Sequence, residues 1–168
     1  DIVDFRRVAR FEPVPMPGGD QATLHSVRMA YSYVISSTDI MKDSFADSLF
    51  QKISAPEKDV LYTMIRNNIK SPLTSSAGRL FDATAALCGL CDTVSYEAQA
   101  AIRLQACAQK NMAGKYRFSI EQVEGMKEIS FKSMIREIIA HLKDRSNTGI
   151  ISAMFHNTIA CAAAETCV

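Results

Sequence analysis

Between Thr74 and Leu90 apolar and small residues recur at Ala77, Leu80, Phe81, Thr84, Leu87, Cys88 and Cys91, the i, i+3, i+4, i+7 spacing of one helix face. Similar spacing predicts five more helices. One starts at Asp20 as N-cap and carries Leu24, Val27, Tyr31 and Val34 on one face. Another opens at Ser54-Ala-Pro-Glu57, a capping box with proline in the tolerated first turn. It buries Val60, Leu61, Met64, Ile65 and Ile69 and ends at Lys70-Ser71-Pro72, because the residue before proline avoids helical angles. A helix runs from Ser95 to about Gln109. Met134, Ile135, Ile138, Ile139 and Leu142 define the next. The last starts at Thr148, with Ile151, Met154, Phe155, Thr158 and Ile159 inward. Phe5–Phe11 reads as a short strand, followed by a proline-rich loop. Tyr116–Ile120 and Lys127–Phe131 read as a hairpin about Glu124-Gly125. Residues 38–53 hold a shorter helix and loops. The fold class is mainly α with a few short strands, in one unit over residues 1–168.

Composition narrows this. A chain of 168 residues carries one ordinary domain with its own core. Hydrophobic content of 48% against 22% charged is that of a globular chain. A formal charge of +1 argues against broad capture of nucleic acid or anionic membrane. No apolar run reaches the roughly 18 residues of a spanning helix, and no signal-peptide pattern occurs. Five cysteines, at 88, 91, 107, 161 and 167, have apolar or helical neighbours, as reduced core thiols of a cytoplasmic protein do.

Chemistry concentrates near residue 82. Asp82 falls one step off the apolar stripe, about 100° around the axis, so burial is not required of it. Gly78 lies one turn below it and Ser75 two. Glycine inside a helix costs up to ~1 kcal/mol against alanine, tolerated where something approaches the backbone. A carboxylate above bare helix is a place to hold a ligand hydroxyl; the alternative is a solvated carboxylate complementing the helix dipole. Glu97 and Gln99 either cap the following helix or line a cleft opposite Asp82. Arg79 is a weak candidate for a phosphate contact. Pro17-Gly18-Gly19-Asp20 reads as a structural turn, since an aspartate cap repels phosphate and the Gly-Lys-Ser/Thr ending of a P-loop is missing. Cys88 and Cys91 have CxxC spacing but lie on the apolar stripe, so packing is preferred over metal or redox use. His25, His141 and His156 sit on separate predicted helices, with no paired metal-ligand spacing and no hydrolase elbow.

The run SPLTSSAGRLFDATAALCGL from Ser71, then VSYEAQAAIRLQA from Val94, resembles the HypF family of carbamoyltransferases, maturation factors of [NiFe] hydrogenases. Two further stretches agree with that family: Phe5–Asp20, ending in Pro-Gly-Gly-Asp, and Ile151–Ala160, with its Phe155-His156 pair. The resemblance implies the helical portion of a C-terminal domain on the sugar-kinase, Hsp70 and actin (ASKHA) type of ATPase fold, related to the tRNA-threonylcarbamoyl transferases. It implies that carbamoyl phosphate and ATP give a carbamoyl adenylate. The carbamoyl group then passes to the C-terminal cysteine of a HypE-type acceptor for cyanide-ligand synthesis. Gly78, Phe81 and Asp82 match a Gly-acidic-Ala-Phe-Asp motif of the related family whose last Asp helps bind nucleotide; Arg79 departs from it. Asp82, Gly78, Glu97 and Gln99 are therefore the expected nucleotide contacts, and no catalytic residue is expected within the chain. The family pattern Tyr-Glu-Gly-Gln appears with Ala98 in the glycine place, and alanine resists a positive φ. A histidine-rich metal motif and a glycine-rich nucleotide loop of the family occur nowhere between Asp1 and Val168. The expectation is a piece of the C-terminal domain that does not turn over alone, with divalent metal and zinc held in flanking parts. Two other readings stay open: a non-catalytic helical module that docks HypE or another domain of the parent, and a piece of a related natural-product O-carbamoyltransferase.

Overall fold

The structure, a computed structural model, describes residues 7–38 and 43–167. Residues 5 and 6 of the first predicted strand, and 39–42 of the predicted 38–53 region, lie outside them. Helices dominate: α1 (Asp20–Leu24), α2 (Ser26–Ser37), α3 (Ser44–Ser48), α4 (Ala55–Arg66), α5 (Ala77–Leu87), α6 (Gln99–Ala106), α7 (Lys132–Lys143) and α8 (Thr148–Thr166). The strands are short: β1 (Ala9–Phe11), β2 (Val14–Pro15), β3 (Leu73–Thr74), β4 (Ser119–Val123) and β5 (Met126–Ser130).

Helix α2 is the axis of the core. Nine of its twelve residues are buried, too many for a single apolar stripe, because α1, α4, α5, α7 and β2 all pack on it. One of its serines, Ser32, donates from Oγ to the carbonyl of Pro15 at 2.5 Å, tying β2 to the helix. The single helix expected from Asp20 is two, broken at His25 (φ −109°, ψ 85°). Its N-cap is Gly19 rather than Asp20. Gly18 and Gly19 both take positive φ, and the Gly18 amide bonds the Lys70 carbonyl at 3.0 Å. The Pro-Gly-Gly segment is thus the structural turn the sequence indicated.

Helix α5 begins at Ala77, not Thr74. Residues 73–74 instead form β3, antiparallel to β2 in the register Val14↔Thr74 and Pro15↔Leu73. Pro72 holds its neighbour extended, and the Met16 amide bonds the Pro72 carbonyl at 2.9 Å. The capping box before α4 is half formed: Ser54 Oγ accepts from the Glu57 amide, whereas the Glu57 carboxylate turns to Arg28 (3.1 Å). Leu61 and Ile65 are buried as expected, but Val60 and Ile69 are exposed. The helix ends at Arg66, and Asn68 and Lys70 adopt positive φ beyond it.

The hairpin turns at Glu124-Gly125 as predicted, but its first strand is Ser119–Val123 rather than Tyr116–Ile120; Val123 stands opposite Met126, and both turn residues take positive φ, the backbone that two-residue hairpins favour. The β1 strand joins β5 in parallel, giving the order β1-β5-β4. Phe11 packs edge-to-face on Phe131 (4.9 Å) where this sheet meets α7. Met134, Ile135, Ile138 and Ile139 are buried on α7. Asn147 caps α8 by accepting from the Gly149 amide at 2.7 Å, one residue before the predicted start.

Candidate functional site: a cleft between α5 and the 94–98 turn

Helix α5 lies between α2 and α6, so its buried surface is wider than one stripe. Asp82 is consequently 4% exposed, although its place off the stripe does not require burial. One turn earlier, Arg79 Nη2 lies 2.9 Å from Asp82 Oδ2. The two attract but are not aligned for a hydrogen bond: Oδ2 and Arg79 Nη1 are both buried without a hydrogen-bond partner. Burial raises the Asp82 pKa above the ordinary carboxylate value, and Arg79 offsets only part of this. Tyr33 of α2 stands close enough to feel both charges, and burial keeps its phenol protonated.

Asp82 and Arg79 form one wall of a cleft of about 270 Å³ whose other lining comes from the end of α1 and the turn before α6. That turn is built rigidly. The Val94 amide bonds the Leu24 carbonyl (2.8 Å), and the Val27 amide bonds the Asp92 carbonyl (3.2 Å), stitching the turn to the α1–α2 break. Gln99 Oε1 accepts from the Ser95 amide (2.7 Å) and from Ser95 Oγ (3.2 Å). Ala98 closes the turn at φ 61°, ψ 10°, a left-handed conformation that costs a non-glycine residue roughly 1–2 kcal/mol. This break is why α6 starts at Gln99 rather than Ser95.

Of the four expected contacts, Asp82 and Glu97 line this cleft together. Gln99 is buried, and its side-chain oxygen serves the preceding turn. Gly78 is exposed on the first turn of α5, outside the cleft lining; a Cβ there would meet only Ser76 Oγ at 3.5 Å. The sequence missed Thr23 and Leu24, which reach the cleft only because the chain breaks at His25. No spacing announces that break.

The remaining candidates pack. His156 Nδ1 sits 2.7 Å from the Ser152 carbonyl, and its ring meets Phe81 edge-on at 5.4 Å. Phe81 also meets Phe155 (4.8 Å), so the Phe-His pair of α8 supports the helix that bears Asp82. His141 contacts the Tyr116 hydroxyl (3.0 Å) and His25 the Thr93 hydroxyl (3.4 Å). Burial, with a contribution from Cys107, pushes the Cys88 thiol up to about 12, and Cys91 donates to the Thr93 carbonyl. The Cys88 thiol is therefore not a nucleophile at neutral pH. Among the described residues no cluster of three or more His, Cys, Asp or Glu side chains is placed to hold a metal ion. No described helix is long and apolar enough to cross a membrane.

Comparison with known proteins agrees with this architecture. All of residues 1–168 match the family described as carbamoyltransferase, Kae1-like domain, second subdomain. The carbamoyltransferase HypF of Synechocystis is 28% identical over 92% of the chain, and that of Rhodobacter capsulatus 39% identical over 64%. The matches cover 22% and 14% of those proteins, so the chain spans about a fifth of the length of such relatives. Full-length HypF in its phosphate- and nucleotide-bound form superposes with a TM-score of 0.88 at 28% identity, over 99% of this chain and 21% of that one. The HypF of T. kodakarensis shares the fold at a TM-score of 0.75 and 22% identity, over 97% of this chain and 22% of that one.

Proposed function

From the premise that this chain belongs to the HypF carbamoyltransferase family, as the second subdomain of its Kae1-like domain, we propose that the α5 cleft is one wall of a nucleotide site. The parent activity in this reading forms a carbamoyl adenylate from carbamoyl phosphate and ATP. The carbamoyl group is then passed to the terminal cysteine of a HypE-type acceptor. The Kae1-like domain is read as an ASKHA-type ATPase fold. Asp82 accepts hydrogen bonds from the ribose hydroxyls, and Glu97 borders the opening.

One observation carries the reading: a buried carboxylate oxygen, Asp82 Oδ2, lacks a hydrogen-bond partner at the wall of a cleft. The Arg79 guanidinium at 2.9 Å offsets part of the cost of burying this charge, but a buried polar atom without a hydrogen bond still costs about 1–3 kcal/mol. A ligand hydroxyl relieves that cost. Arg79, 23% exposed, swings aside or turns its free Nη1 to an acceptor on the same ligand. The relative solved with nucleotide and phosphate bound supports the choice of ligand class. The chain's own part is to bind and orient: a fixed carboxylate and a rigid turn hold the nucleotide while other parts of the parent supply the second reactant and its metal.

A charge-assisted hydrogen bond is worth ~1.5–3 kcal/mol, about ten- to hundredfold in affinity. Asp82→Ala in the complete polypeptide should weaken equilibrium ATP binding by that factor, with the far-ultraviolet circular dichroism and melting cooperativity of the native protein. ATP affinity unchanged in the folded variant refutes the site.

A further inference from the structure

Arg10, Arg28, Arg79 and Arg117 each lie beside a carboxylate. Arg66 and Arg136 have no carboxylate at ion-pair distance among the described residues, yet both line one open hollow of about 470 Å³. The rest of its lining is Ile35, Ser36, Ser37 and Thr38, the carboxy end of α2, with no acidic side chain. The two arginines come from distant elements, the end of α4 and the middle of α7. Each is held. Arg136 Nε donates to the Ser37 carbonyl at 2.6 Å, leaving both Nη groups without a hydrogen bond among the described residues. The Arg66 guanidinium lies 5.4 Å from the centroid of the Tyr62 ring.

The carbonyl end of α2 and its dipole account for one Arg136 donor. They do not account for a second guanidinium in the same hollow, which like charge disfavours. On its other side Arg136 borders a hollow that holds Glu12, Glu121 and Glu128. There Lys132 already holds Glu12, Arg10 holds Glu128, and Glu121 is exposed. Two forked cations and neighbouring hydroxyls, converging from separate elements, suit an acceptor with oxygens on several sides. A tetrahedral oxyanion has that shape, whereas a carboxylate offers two oxygens in one plane. We propose that the hollow at the carboxy end of α2 binds a phosphate group, free or as an ester, bridged by Arg66 and Arg136. The α5 cleft borders the opposite end of this twelve-residue helix, about 18 Å away along its axis. The phosphate site is therefore independent of the nucleotide reading.

Phenylglyoxal, which modifies accessible guanidinium groups, reads the site on the complete polypeptide, with the labelled arginines identified by mass spectrometry. Inorganic phosphate should slow labelling of Arg66 and Arg136 together, at one half-protecting concentration, and leave Arg145 unchanged. Sodium chloride at equal ionic strength should protect neither, since screening alone does not occupy a site. In Arg136→Gln the phosphate needed to protect Arg66 should rise about ten- to hundredfold, and Arg66→Gln should do the same for Arg136. Glycerol 3-phosphate distinguishes the two sources: stronger protection than phosphate marks an ester site, weaker protection a site for the free ion. Absent protection, equal protection by chloride, or protection of Arg66 that survives Arg136→Gln overturns the proposal. So do two arginines that are unreactive before any phosphate is added, because another part of the parent then fills the hollow.

Discussion

Asp82 is where local chemistry and packing pull against each other. Folding takes its carboxylate out of water and gives it one misaligned arginine in return. Burial thus raises its pKa above the ordinary 3.8, so the folded chain holds this proton more tightly than the unfolded chain. The stabilising effect of that proton is complete below the unfolded value and is lost as pH rises through the folded one. At neutral pH the ionised group weakens the fold. Asp82→Asn is therefore predicted to melt no lower than wild type at pH 7. Any advantage should shrink as the pH falls toward the unfolded value of 3.8, because folded Asp82 takes up its proton above it. Thermal melts across that range check this, and a variant markedly less stable at pH 7 contradicts it. Residues that gain stability while losing binding mark a site kept for function. The aspartate itself was legible in the sequence, through its resemblance and its position above Gly78. Its burial was not, because one helix's periodicity does not reveal that neighbours pack on two sides.

Among the elements, those dictated by strong local signals formed where they were read: α7 from its four buried apolar residues, and the turn of the β4–β5 hairpin at Glu124-Gly125. The failures were non-local. Two-residue strands β2 and β3 carry no periodicity, and β1 pairs with a segment more than a hundred residues away. The start of α6 failed for a different reason, since nothing in alanine's propensity predicts a left-handed turn. That turn yields its own prediction. Alanine at positive φ costs roughly 1–2 kcal/mol, against an entropic penalty for glycine of about 0.5–1 kcal/mol. Ala98→Gly should thus stabilise the protein by about 0.5–1 kcal/mol. The measurement is a urea midpoint at unchanged slope; a lower midpoint would mean that the turn is not strained.

At the scale of the whole molecule, one core gathers around α2, and the cleft sits where α5, the α1–α2 break and the 94–98 turn meet. The fold class was legible because most of the chain is amphipathic helix. The cleft was half legible: α5 and Glu97 were in view, while Thr23 and Leu24 depend on a break that only tertiary structure reveals. The central claim concerns the atoms that meet Asp82, and the ligand itself can be edited to test it. Affinities of ATP and 2′,3′-dideoxy-ATP should be compared for the complete wild-type polypeptide and for Asp82→Ala, which removes the acceptor. The dideoxy nucleotide should bind wild type about ten- to hundredfold more weakly than ATP, and the variant should bind both alike. A penalty for the missing hydroxyls that is just as large in the variant would place the ribose elsewhere.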